Sequence, residues 1–205
     1  MRALLLLALA ALLPGAARAE TLTLDPSTGS LRVLLYKDGP LSALGHDHVL
    51  EAPAFSGQIE LSSGSAQLML SIDASKLMID SGPARGAEGL GELKDSDLAK
   101  IDAGMRGPKG LDAARFPKIT FRSDTIEPVP GDDHLWEVTG RFELHGATQT
   151  IDFPVQVSDG PGGRWFTGYV RLRQTDFGLK PFSVFAGAVR LKDEFLVRFT
   201  LLGKN

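Results

Sequence analysis

The chain has no cysteine. Disulfide staples, thiol nucleophiles and thiolate metal sites are therefore excluded, so the fold must rest on its core and any metal site on His, Asp or Glu. Aromatic residues are few, 7% of the chain, and unevenly chosen: 11 Phe stand against 2 Trp and 2 Tyr. Basic residues are outnumbered, 22 Lys and Arg against 25 Asp and Glu. The formal net charge of −3 gives no general attraction to nucleic acid or to an anionic lipid surface. Catalytic signatures are missing as well. There is no G-x-S-x-G elbow and no H-E-x-x-H helix, and the glycine-rich Gly86 to Gly91 lacks the Lys-Ser or Lys-Thr of a phosphate-binding loop. That stretch reads as a flexible lid, and neither catalysis nor a resident cofactor is expected.

The one long apolar run stands first. Arg2 precedes an unbroken Leu and Ala stretch from Leu4 to Leu13, Pro14-Gly15 breaks it, and Ala17-Arg18-Ala19 supplies an A-x-A cleavage site. This reads as a secretory signal peptide cut after Ala19, with residues 20–205 as one mature domain exported to the periplasm. Loss of Arg2 and Arg18 would make that domain more negative by two charges. No later run approaches the roughly 20 residues of a spanning helix, so the mature chain is not expected to cross a membrane.

Beyond Glu20 the dominant signal is period two. Leu31, Val33 and Leu35 alternate with Arg32, Leu34 and Tyr36; Ala66, Leu68, Leu70 and Ile72 alternate with Gln67, Met69, Ser71 and Asp73. Ile59-Glu60-Leu61, closed by Ser62-Ser63-Gly64, makes a hairpin with the second of these. From Ser81 glycines and charges break the pattern, predicting a loop. Ser96 to Met105 carries Leu98, Ile101 and Met105 at helical spacing, and Leu111 to Arg115 reads as a helical stub ended by Phe116-Pro117. Alternation then resumes through 118–123, 136–145, 151–157, 165–173 and 189–201. Eight to nine alternating strands predict an all-β antiparallel fold. An eight-stranded barrel with one short helix on a long connection removes edge strands and can hold a small ligand, and a two-sheet sandwich is the alternative.

Three motifs carry a resemblance. Phe116-Pro117-Lys118-Ile119-Thr120-Phe121-Arg122-Ser123, the stretch Val138 to Thr148 with Leu144-His145-Gly146-Ala147-Thr148, and Arg173-Gln174-Thr175-Asp176-Phe177-Gly178-Leu179 resemble, in this order and spacing, the YceI-like family of exported lipocalin-like proteins linked to polyisoprenoid binding. The resemblance covers roughly Asp25 to Leu202. It implies an eight-stranded lipocalin-like barrel with a helix near its mouth, and an apolar cavity for a polyisoprenoid, an isoprenoid quinone or a similar amphiphilic lipid. The chain departs from the family pattern where Gly45-His46-Asp47-His48 replaces a single-His motif and where the stretch from Arg85 to Lys94 is glycine-rich.

Phe121, Trp136, Phe142, Phe153, Phe166, Phe195 and Phe199 fall on the apolar side of their strands. They are the candidate cavity residues, since a cavity for a lipid must exclude unpaired charge. The plain alternative is that they fill a core without a void, in a small interaction domain. His46 and His48, two apart, would share one face of an early strand with Leu50 at the cavity mouth. As a His-x-His pair they are also candidate ligands for a divalent metal, or neighbours of a haem partner, in a metal- or redox-associated protein. His134 and His145 show no pairing with them. Asp176 is expected to pair with Arg173 and fix the turn before the last strand. The partners implied are an apolar small molecule or lipid and no nucleic acid, with a homodimer left open.

Overall fold

The structure, a computed structural model, describes residues 20–62 and 65–205. Residues 1–19, expected as a signal peptide, and Ser63-Gly64, expected to close a hairpin, lie outside the described residues. The strands are β1 (Glu20–Asp38), β2 (His48–Glu51), β3 (Phe55–Ser62), β4 (Ser65–Asp73), β5 (Met78–Ile79), β6 (Lys118–Val129), β7 (Asp132–Leu144), β8 (Ala147–Gly160), β9 (Gly163–Arg173), β10 (Ser183–Val184) and β11 (Val189–Lys204). Two helices, α1 (Gly82–Ala87) and α2 (Asp95–Arg106), lie on the β5–β6 connection.

Closure decides the architecture. In the order β11-β9-β8-β7-β6-β4-β3-β1 every neighbour is antiparallel, and β11 pairs again with β1, Leu31 opposite Phe199 and Leu35 opposite Phe195. The result is an eight-stranded antiparallel barrel, and the sandwich alternative falls. The alternation works as the period-two pattern requires. Along β8, Ile151, Phe153, Val155 and Val157 are buried while Asp152, Pro154 and Gln156 are exposed. Outward positions carry charge, as at Arg122, Glu137, Arg141, Asp152 and Arg171. This is the reverse of a lipid-spanning barrel, which is apolar outside and polar within. No described helix is long and apolar enough to cross a membrane.

Two local devices shape the barrel. Pairing of β8 with β9 stops at Val155 opposite Gly168. The residue before Val155 is Pro154, which has no N–H to give a partner. Beyond that point β9 leads into a 3-10 turn, Gln174–Phe177, and Phe177 fills the space, 1% exposed, with its ring 5.4 Å from Phe142 and 6.4 Å from Phe195. Gly140 on the adjacent strand β7 answers a close approach of β6: a Cβ there would meet the Arg122 carbonyl and come within 2.7 Å of the Phe121 ring.

The β5–β6 connection differs from expectation in two places. Residues 82–87, expected as loop, form α1, with Ser81 Oγ accepting from the Ala84 N–H and Pro83 in the first turn. Its glycines are poor helix formers, so tertiary contacts hold it: Ala84 is fully buried, and α1 packs on β2. Leu111 to Arg115 is a turn and not a helical stub, with the N–H groups of Arg115 and Phe116 both donating to the Asp112 carbonyl. Asp112 sits at φ 45°, which a helix cannot continue.

Candidate ligand-binding site

The barrel encloses an apolar cavity of about 1090 Å³. Sites for small molecules usually span about 300–1,000 Å³, so this one lies at or above the upper end and suits a long ligand. Phe121, Trp136, Phe142, Phe153, Phe166, Phe195 and Phe199 all line it. Towards one end Trp136 and Phe166 stand 6.2 Å apart, while Leu22 and Leu24 are buried in the same core without reaching the cavity.

The mouth is built from α2 and two loops. Ile101, Gly104 and Met105 of α2 line the cavity with Pro108 to Leu111 and the segment from Gly178 to Val184. No residue of α2 is fully buried. Its apolar side faces the void instead of a packed wall. Arg106, oriented by Asp102 one turn back in the helix (2.9 Å), fixes the helix end to the rim by bonding the Ser75 carbonyl (2.7 Å) and the Leu77 carbonyl. Lid-like elements are thus α2 and the 108–111 turn. The Gly86 to Gly91 stretch, expected as a flexible lid, does not line the cavity and is pinned, since Arg85 Nε donates to the Gly91 carbonyl at 2.7 Å.

Charged and polar groups at the lining are Lys100, Lys109, Lys180, His48, His145, Gln174 and Ser183, with no carboxylate among them. His145 and Gly146, both at positive φ (53° and 75°), make the two-residue turn between β7 and β8, the backbone such a hairpin demands. The His145 ring packs 4.5 Å from Phe116 and its Nδ1 lies 3.3 Å from the Phe177 carbonyl. His134 is exposed on β7, apart from the cavity lining.

The two paired histidines separate. His48 opens β2 and faces inward with Leu50, but His46 is exposed on the connection that precedes the strand, so the shared strand face expected of them does not form. The 3-10 turn Ser42–Leu44 and the bend at Gly45 delay the strand until His48. Their rings still approach to 6.5 Å edge-on. His48 Nδ1 is committed to Asp80 Oδ2 at 2.6 Å. Asp80 Oδ1 accepts from the Val49 N–H (3.0 Å) and from Arg85 Nη1 (2.7 Å), which also reaches the Asp47 carbonyl (2.9 Å). Burial alone would raise the Asp80 carboxyl, but the bonds from His48, Val49 and Arg85 outweigh it and hold it below the ordinary aspartate range. Among the described residues no group of three or more His, Asp or Glu is placed to hold a metal ion.

Arg173 does not pair with Asp176. Its Nε donates to Asp193 Oδ2 at 2.9 Å, and Asp193 also accepts from the Thr175 N–H (2.9 Å) and hydroxyl (2.7 Å). Asp176 contributes its backbone carbonyl, which accepts from Gln149 Nε2 at 2.7 Å and ties the turn to β8.

Comparison with known proteins agrees with this geometry. The YceI-like domain pattern matches residues 23–201. UPF0312 proteins of Shewanella sp. strain ANA-3 and of Shewanella oneidensis are 32% identical over 92 residues, 42% of this chain. The matched region spans about half of those relatives, 47% of their length. Among solved structures, BcnA of Burkholderia cenocepacia superposes with a TM-score of 0.64 at 19% identity, covering 87% of this chain and 98% of that one. A Campylobacter jejuni YCEI protein gives 0.52 at 14% identity, covering 76% and 84%. At these identities the structural likeness speaks for the fold.

Proposed function

The chain belongs to the YceI-like family, and on that premise we propose that it is a periplasmic carrier or sensor that holds a polyisoprenoid, an isoprenoid quinone or a similar amphiphile in its barrel, without catalysing a reaction. The observation that carries this reading is the cavity itself, about 1090 Å³, walled by aliphatic and aromatic side chains and edged by lysines at its mouth. An apolar chain buried there gains roughly 25 cal/mol per Å² of surface removed from water. A polar head would sit among Lys100, Lys109 and Lys180. The periplasmic part of the reading rests on the leader-like sequence at 1–19.

Native mass spectrometry of protein purified from its own periplasm tests the reading. A bound apolar adduct, or uptake of added quinone or polyprenol, is expected. A clean apo mass with no uptake of either would overturn it.

The 6.5 Å approach of the His46 and His48 rings supports a second reading, a metal- or redox-associated protein. It is the weaker one, because one nitrogen of His48 is already held by Asp80.

A further inference from the structure

The lipid-carrier reading leaves one part of the cavity wall unused. His48, Asp80 and Arg85 are 8%, 1% and 5% exposed. Desolvating the Asp80 carboxylate and the Arg85 guanidinium costs several kcal/mol each unless geometry compensates. Asp80 is also held at φ 51°, a strained position for a non-glycine residue. Around it, Arg85 is fixed by two backbone carbonyls, and Glu88 just beyond α1 bridges Arg32 (3.4 Å) and Arg198 (2.6 Å) on the barrel exterior. Asp80 does not need His48 for charge balance, because Arg85 supplies it. The arrangement nevertheless ends on the imidazole, and the imidazole lines the cavity.

The chemistry of the last bond is determined. An ionised carboxylate only accepts, so His48 Nδ1 carries the proton between them. In the neutral ring Nε2 then presents a lone pair. Among the described residues no buried side-chain polar atom lacks a partner, and no protein donor meets Nε2, so that nitrogen is accessible, on a ring that lines the cavity. A fixed acceptor on an apolar wall recognises a donor.

We propose that His48 Nε2 accepts a hydrogen bond from the cavity's occupant, which makes the preferred ligand an apolar chain bearing a hydroxyl group, with Asp80 and Arg85 as positioning residues. This rests on the reading that the cavity holds an amphiphile. The test is titration of the lipid-free protein with geranylgeraniol, its methyl ether and the parent hydrocarbon, followed by tryptophan fluorescence, to which Trp136 in the cavity wall contributes beside Trp165, in buffer well above the ordinary imidazole range. The ether keeps the oxygen and loses only the donor. Wild type should bind the alcohol about tenfold more tightly than the ether, the equivalent of about 1.4 kcal/mol. His48→Phe should bind the two equally, and Asp80→Asn, which frees the ring to take either tautomer, should reduce the preference; both variants should keep their affinity for the hydrocarbon. Equal affinities in wild type, or a preference that survives His48→Phe, would overturn the assignment while leaving the carrier reading intact. Failure of all three ligands to bind would overturn both.

Discussion

Asp80 Oδ1 and Arg85 Nη1 meet at 2.7 Å with both side chains sealed from water, and the pair forms the hub between α1, β2 and the cavity wall. Truncating one member leaves the other as an uncompensated buried charge. Asp80→Ala is therefore expected to lower stability by about 3–5 kcal/mol in urea unfolding. His48→Phe should cost much less, since the pair survives it. Equal losses for the two variants would mean that the imidazole, and not the ion pair, holds the hub.

The same carboxylate gives a pH dependence of known sign. Its folded-state pKa is lowered, so the unfolded chain binds the proton more tightly and protonation favours unfolding. The stabilisation is present above the ordinary aspartate value, about 3.9, and is lost as pH falls through the lower folded value. Urea midpoints measured across acid pH should fall steeply for wild type. Asp80→Asn, less stable at neutral pH, should show a flatter profile in the same window.

Asp193, and not Asp176, holds the turn before β11. Removing the Thr175 bonds in Asp193→Ala should cost about 1 kcal/mol, whereas Asp176→Ala should stay within about 0.5 kcal/mol of wild type by thermal or urea unfolding. The lowered carboxyl of Asp193 has the same origin: burial would raise it, and the Thr175 hydroxyl, the Thr175 N–H and Arg173 together outweigh that. A larger loss from Asp176→Ala would restore the pairing that sequence proximity suggested.

How far the sequence could be read depended on whether a residue's role was local. Strands such as β8 were legible because an alternating run buried on one face has only one way to sit in a sheet. The seven candidate aromatics reach the cavity for that reason. Closure was not legible in the alternation, since it depends on β1 meeting β11, segments far apart in the chain; the family resemblance implied it, and the barrel forms. Nor was α1, whose Gly-Pro-Ala-Arg-Gly-Ala run is held by Arg85 and Glu88 and not by propensity. Asp80 and Phe177 lay outside any periodic run. Their importance comes from long-range partners, though an aspartate preceding Ser81, the helix-capping residue, was a signal that could have been weighed. His46 was misplaced by assuming that the strand began two residues early.

Metal binding offers a direct check on the histidine pair. With His48 Nδ1 held by Asp80 and His46 exposed, isothermal titration with zinc or copper should show only weak binding, equal in wild type and in the His46→Ala/His48→Ala double variant. Tight binding that disappears in the double variant would establish the second reading instead.

The void itself can be tested by filling it. Leu68 on β4 and Val170 on β9 point into the barrel and line the cavity, yet both are only half-buried, because on the inner side no protein atoms cover them. Adding bulk to a packed core typically costs about 1–3 kcal/mol through forced rotamers and backbone shifts. Here the added ring enters empty space and gains contacts. Leu68→Phe combined with Val170→Phe is thus expected to change stability by less than about 1 kcal/mol in urea unfolding. The same pair should weaken uptake of geranylgeraniol at least about tenfold, because it takes up the volume the chain would occupy. The opposite result, a stability loss typical of overpacking with uptake unchanged, would mean that the barrel is filled in solution and that any ligand binds elsewhere.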